Sequence, residues 1–128
     1  MKMLGMFYVP CSLGEIVDRV TILEIKIIKC TDSKEKKFLC TQKEEFTDII
    51  SQNAMAKKLF EGPITEFLRN LNKKIWDSEV VARNRETKSH YQTVIDICYL
   101  NDKRTKLKNK INKLFYSETE DKKNYSHL

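Results

Sequence analysis

The sequence predicts an all-α fold, an up-and-down antiparallel bundle of about four helical segments with a polar C-terminal tail. Three observations carry this expectation. Apolar residues recur at three- and four-residue spacing along most of the chain, the period of a helix with one buried face. Only 3 glycines and 2 prolines interrupt that pattern, and both prolines precede residue 65. Lys, Glu, Leu and Ile are abundant, a composition that favours long helices. At 128 residues, the chain is expected to form one domain, residues 1–128, with a core that needs no staples.

Taken in order, residues 1–11 read as an extended segment, because Pro10 biases Val9 away from helix. Ser12 opens a first helix with a capping box, Ser12-x-x-Glu15, and the helix runs to about Cys30. Its main apolar face is Leu13, Ile16, Val17, Val20, Leu23 and Ile27. The turn "TDS" at 31–33 leads to a second helix over about 34–52, with Asp32 and Glu35 as another capping box. Phe38, Leu39, Phe46, Ile49 and Ile50 are its apolar face, and "SQNA" breaks it before a shorter piece ending at Phe60.

Gly62 and Pro63 punctuate the chain most sharply, a helix end followed by a residue suited to a first helical turn. The third helix covers about 63–86, with Ile64, Phe67, Leu68, Leu71 and Ile75 at helical spacing. After "ETKS", a fourth helix covers about 90–116, with Leu100, Leu107, Ile111 and Leu114 inward. Residues 117–128 form the polar tail.

A net charge of +6 raises a nucleic-acid reading, but the cations are mostly Lys, with Arg only at 19, 69, 83, 85 and 104. Phosphate and base recognition leans on the planar fork of Arg, so nucleic acid is not the favoured partner. Lys103, Lys106, Lys110 and Lys113 line one stripe, which reads as a solvated helix face or as a track for a phosphate backbone. Cysteines stand at 11, 30, 40 and 98 with no C-x-x-C and no His at ligand spacing, so no metal site and no cofactor is expected. Reduced, buried thiols are the expectation, which suits a cytoplasmic protein. No cleavage-site pattern follows "MKMLGMFYVP", and no apolar run is long enough to span a membrane.

One charge falls in the wrong place. Glu24 lies near the middle of the first helix's apolar face, and an unpaired buried carboxylate costs several kcal/mol. Arg104, flanked by Leu100, Leu107 and Ile111, is the candidate partner. If Leu13 is level with Phe115 in an antiparallel pairing of the first and fourth helices, Glu24 is level with Arg104. The alternative is that both side chains snorkel to water. Ile22 and Ile25 lie opposite the main face, making the helix apolar almost all round. They are covered either by a homo-oligomer contact or by the Phe7–Tyr8–Val9 stretch folding back.

Trp76, near Arg69, Asn72 and Arg83, reads either as a stacking platform for a sugar or base or as filler for a helix seam. His90 is solitary, with no Ser, Cys or carboxylate placed to complete a triad.

"PCSLGEIVDRVTILEIK" (10–26), "LNKKIWD" (71–77), "YLNDKRTKLKNKIN" (99–112) and "EDKKNY" (120–125) resemble, taken together, an uncharacterised family of short helical proteins. Members occur in bacteria and large DNA viruses, and the bacterial genes often lie near glycosyltransferase genes for lipopolysaccharide and other surface glycans. The matching residues include Ser12, Gly14, Glu15, Asp18, Thr21, Glu24, Trp76, Asn101, Arg104, Lys108, Asn112 and Tyr125. Ile75 stands where the family has Leu, and "SEVVAR" is less acidic than the family's segment there. No activity comes with this resemblance.

The expected function is therefore a non-catalytic interaction or scaffold protein associated with surface-polysaccharide assembly, with glycan-assembly enzymes as candidate partners. A small enzyme or ligand-binding bundle acting on a sugar or nucleotide is the alternative, and a basic nucleic-acid binder the second. The antiparallel register brings Glu15, Asp18, Lys108, Asn112 and Tyr125 to one end of the bundle. With Asn101, a polar group of the ligand-binding alternative, they are the candidate ligand or partner residues. The other reading is structural, with Glu15 only completing the Ser12 cap and Tyr125 only pinning the tail. On the binding reading, replacing Lys108 and Asn112 leaves stability nearly unchanged and weakens capture of a ligand or partner; on the structural reading, it unfolds the protein.

Overall fold

The computed structural model describes the backbone of residues 7–83 and 90–126 and the side chains of residues 7–83 and 91–117. The described elements are all helical: α1 (Leu13–Lys29), α2 (Ser33–Ser51), α3 (Ala54–Phe60), α4 (Pro63–Arg83) and α5 (His90–Ser126). The bundle expected from the periodicity is the one observed, with the piece before Phe60 standing as a helix of its own.

Local chemistry sets the boundaries. Ser12 has extended backbone, and its hydroxyl accepts from the Glu15 N–H at 3.2 Å, satisfying one of the donors that a helix start leaves open. The Asp32 carboxylate does the same for the Lys34 N–H, and the Asn53 side chain for those of Met55 and Ala56. That last cap is what divides α2 from α3. Pro63 occupies the first position of α4, where its missing N–H is no loss.

α1 packs against α2, α4 and α5, whereas α2 packs against α1 and α3. A central helix must be apolar on more than one side, which accounts for the composition of α1. The core is Val17, Val20, Ile50, Ala56, Leu68 and Ile111, ringed by Leu13, Ile16, Phe46, Phe60, Ile64, Leu107 and Phe115. α4 runs in the direction of α1: Asn72 bonds Asp18 and Thr21, and Trp76, one turn on, shares a cleft with Ile25 and Ile28. α5 runs against both, since Gly14 meets Asn112 while Asp18 meets Arg104.

Several expectations are corrected. Residues 117–126 continue α5 rather than leaving it as a tail, so its 37 residues span ~55 Å. No Pro or Gly interrupts that stretch, and its polar residues are helix-compatible. Phe38, Ile49, Phe67 and Leu114 face outward. Their helices carry more apolar residues than one packed face accepts. Phe7, Tyr8 and Val9 are exposed and do not cover Ile22 and Ile25. Ile25 is buried within the chain, beside α4, and Ile22 is half-buried, so neither is an open oligomer face. Cys11, Cys30, Cys40 and Cys98 are free thiols, but none is fully buried, and Cys11 and Cys98 are exposed. Cys11 precedes the first helix and Cys98 lies on an outer side of α5, so neither position reaches the core. Residues 84–89, which include the expected "ETKS" turn, lie outside the described residues. No helix is long and apolar enough to cross a membrane among the described residues.

Candidate functional site

The polar centre of the bundle is Asp18, only 1% exposed. Gly14, Asp18, Thr21 and Ile25 are all buried and form a second inward stripe on α1, turned toward α4 and α5. A charge at that depth needs several partners. Arg104 supplies a two-pronged contact: Nε donates to Oδ1 at 2.9 Å and Nη2 to Oδ2 at 2.5 Å. Asn72 Nδ2 donates to Oδ1 at 2.9 Å and to Thr21 Oγ1 at 2.8 Å. The Thr21 hydroxyl in turn donates to the Asp18 carbonyl at 2.7 Å. Lys108 Nζ stands 3.9 Å from Oδ2.

Burial alone pushes the Asp18 carboxyl up. The hydrogen bonds from Arg104 and Asn72, with the charges of Arg104 and Lys108, outweigh it and hold the carboxyl below its ordinary range. The Asp18 hydrogen bond raises the Arg104 pKa against the opposing effect of burial, and Glu15 and Glu79 add to the rise. Both groups are charged at neutral pH.

The register between α1 and α5 differs from the expected one. Gly14 lies where any Cβ would collide with the backbone carbonyl of Lys108 and stand 2.9 Å from Asn112 Oδ1. Its N–H donates to that same Oδ1 at 2.6 Å. Glycine thus lets the two backbones touch and seats α5 against the first turn of α1. One turn further into α1, and two turns back along α5, Arg104 meets Asp18. The predicted Glu24–Arg104 pair does not form.

Glu24 has another partner. Arg69 of α4 donates through Nε at 2.8 Å and Nη2 at 3.2 Å to the Glu24 carboxylate. Its Nη1 reaches Glu66 at 2.5 Å. The Glu24 and Arg69 side chains are 21 and 22% exposed, a pair at the margin of the core rather than inside it. The bond to Glu24 raises the Arg69 pKa despite burial, with the Glu24 charge and Glu66 contributing.

Of the predicted site residues, Glu15, Asp18, Lys108 and Asn112 come together. Lys108 Nζ is 2.5 Å from Glu15, whose carboxylate is also 3.4 Å from Arg19. Asn112 is tied to Gly14. Asn101 is half-buried on α5, about three turns from Asn112 and outside this cluster. Tyr125 lies on the α5 backbone, but its side chain falls outside the described residues. Sequence reasoning missed Asn72 and the role of Arg69. Their signal was present: Asn72 interrupts the Leu68–Leu71–Ile75 face as Glu24 interrupts that of α1, and Arg69 follows Glu66 at i+3.

A cleft of about 390 Å³ opens beside the network between α1, α2 and α5, lined by Arg19, Ile22, Lys26, Gln42, Phe46 and Arg104 among others. Among the described residues no three His, Cys, Asp or Glu side chains converge as metal ligands. Compared with known proteins, the chain matches no family model, and no curated protein or solved structure is significantly similar to it.

Proposed function

We propose that the chain is a non-catalytic helical interaction protein that docks through the outer face of the first third of α5. One observation carries this reading. Between Tyr91 and Leu100 the helix carries apolar residues on two sides: Ile97 and Leu100 are half-buried, while Tyr91, Val94, Ile95 and Tyr99 remain 77, 42, 44 and 61% exposed. The Gln92 amide donates to Asp96 in the polar strip at their edge. A helix with apolar residues on opposite sides is ordinarily covered on both. The buried charges, in contrast, are engaged with one another, as structural groups would be.

The occupant we assign is a second copy of the same stripe. Its two tyrosines and two aliphatic side chains offer on the order of 500 Å² per copy. With a polar rim that approaches the ~800 Å² per partner of a standard interface. From the resemblance comes the setting, assembly of surface glycans with glycan-building enzymes, and that part rests on the resemblance alone.

Sedimentation equilibrium over a range of concentrations tests the reading. The expected result is a dimer that the double variant Val94→Glu/Ile95→Glu converts to a monomer with an unchanged far-UV circular dichroism spectrum. A wild-type monomer at every concentration overturns it, as does a dimer that ignores the two glutamates.

A further inference from the structure

The cleft between α1, α2 and α5 has a composition that the stability of the bundle does not require. Its rim carries Arg19 and Lys26, one on each side of Ile22 along α1. Lys26 is exposed and forms no ion pair among the described residues, and Arg19, 59% exposed, is held only by Glu15 at 3.4 Å. Surface pairs of that kind contribute little, so Arg19 is available to another anion. Deeper in, Arg104 is fixed by Asp18 through Nε and Nη2, which leaves Nη1 without a hydrogen-bond partner among the described residues. A guanidinium held on one edge presents its remaining N–H donors with little entropy left to lose.

The negative groups of the cleft are already engaged. Glu15 is bound by Lys108 and Asp18 by Arg104 and Asn72, so neither projects an uncompensated charge. Glu79 of α4 adds its field at Arg104 but does not line the cleft. The apolar lining is Ile22 and Leu23, on α1 between the two cations, and the half-buried ring of Phe46 across the cleft on α2, with the Gln42 amide beside it. Cations at a rim, an apolar wall and one amide make an amphipathic receptor. At about 390 Å³ it falls within the usual range for small-molecule sites.

We infer that this cleft binds a nucleoside phosphate, with the phosphates between Arg19, Lys26 and Arg104 and the base against Phe46 and Ile22. A bare phosphate would leave the apolar wall unused, and a neutral sugar would leave the cations unused. The base, a flat apolar body with a hydrogen-bonding edge, fits the ring and the amide together. The site is independent of the docking face on α5.

Isothermal titration of the intact protein with ADP tests this, with adenosine and inorganic phosphate titrated separately. ADP is expected to saturate at one site per chain, and each half-ligand to bind at least tenfold more weakly. Arg19→Ala/Lys26→Ala should weaken ADP by roughly a hundredfold, about tenfold for each charge-assisted hydrogen bond removed. Lys110→Ala/Lys113→Ala removes the same formal charge from a remote part of α5 and should leave the affinity within about twofold. Absence of saturation by ADP overturns the inference. So does equal weakening by the two double variants, which would mean diffuse charge attraction only.

Discussion

Replacing Arg104 with Ala removes two charge-assisted hydrogen bonds from a carboxylate that is 1% exposed. Breaking one partner of a buried ion pair costs ~3–5 kcal/mol, because the remaining charge is left in a poor solvent. Asn72 still donates to Oδ1, and Lys108, 3.9 Å from Oδ2, can move closer, so the lower end of that range applies, ~3 kcal/mol. Arg69→Ala is a milder cut, since its partner Glu24 is 21% exposed and gains water; ~1–2 kcal/mol is expected. Lys106→Ala, on an exposed face, should cost a few tenths. The double variant Asp18→Leu/Arg104→Met removes both charges and should recover most of the loss. Urea unfolding followed by circular dichroism reads the order directly, at constant slope. Equal midpoints for Arg104→Ala and Lys106→Ala would refute the buried-pair reasoning, as would Arg69→Ala proving the more damaging of the two arginine variants.

Gly14→Ala should destabilise by ~1–3 kcal/mol, the range for forced overpacking, although alanine favours helix; a rise in melting temperature would show that α5 yields easily. Asn112→Ala leaves the Gly14 N–H without its acceptor and should cost ~1–2 kcal/mol by thermal melting, so Asn112 serves stability and not binding alone. Because the folded state holds Asp18 below its ordinary pKa, the unfolded chain binds more protons at acid pH. That contribution is complete above the unfolded value of ~3.9 and is lost as pH falls through the lower folded value. Asp18→Asn should flatten the acid limb of a plot of urea midpoint against pH, and an unaltered limb would assign it to other carboxylates.

Much of the architecture was legible in the residues. Ser12, Asp32, Gly62 and Pro63 mark helix boundaries through short-range chemistry that acts within three or four residues, and the structure places the boundaries there. The apolar spacing of α1 and α4 identifies Val17, Val20, Leu68 and Ile75 as interior, because helical period alone decides which residues share a face. The sequence also marked Glu24 and Arg104 as charges on apolar faces, to be met either by an opposite charge or by water. It carried no sign that Asp18 is the carboxylate that is fully buried, nor of which charge meets which. Pairing depends on how far one helix slides along another, and the apolar faces tolerate more than one register. That slide is decided by a contact with no apolar signature: Gly14 admits the Lys108 carbonyl and takes the Asn112 side chain as its partner. With this seat taken, Arg104 falls to Asp18 and Glu24 to Arg69 on a different helix. Local sequence thus determined the helices and which charges lie on apolar faces, while backbone proximity, available only in three dimensions, decided which charges are buried and which partner each one meets.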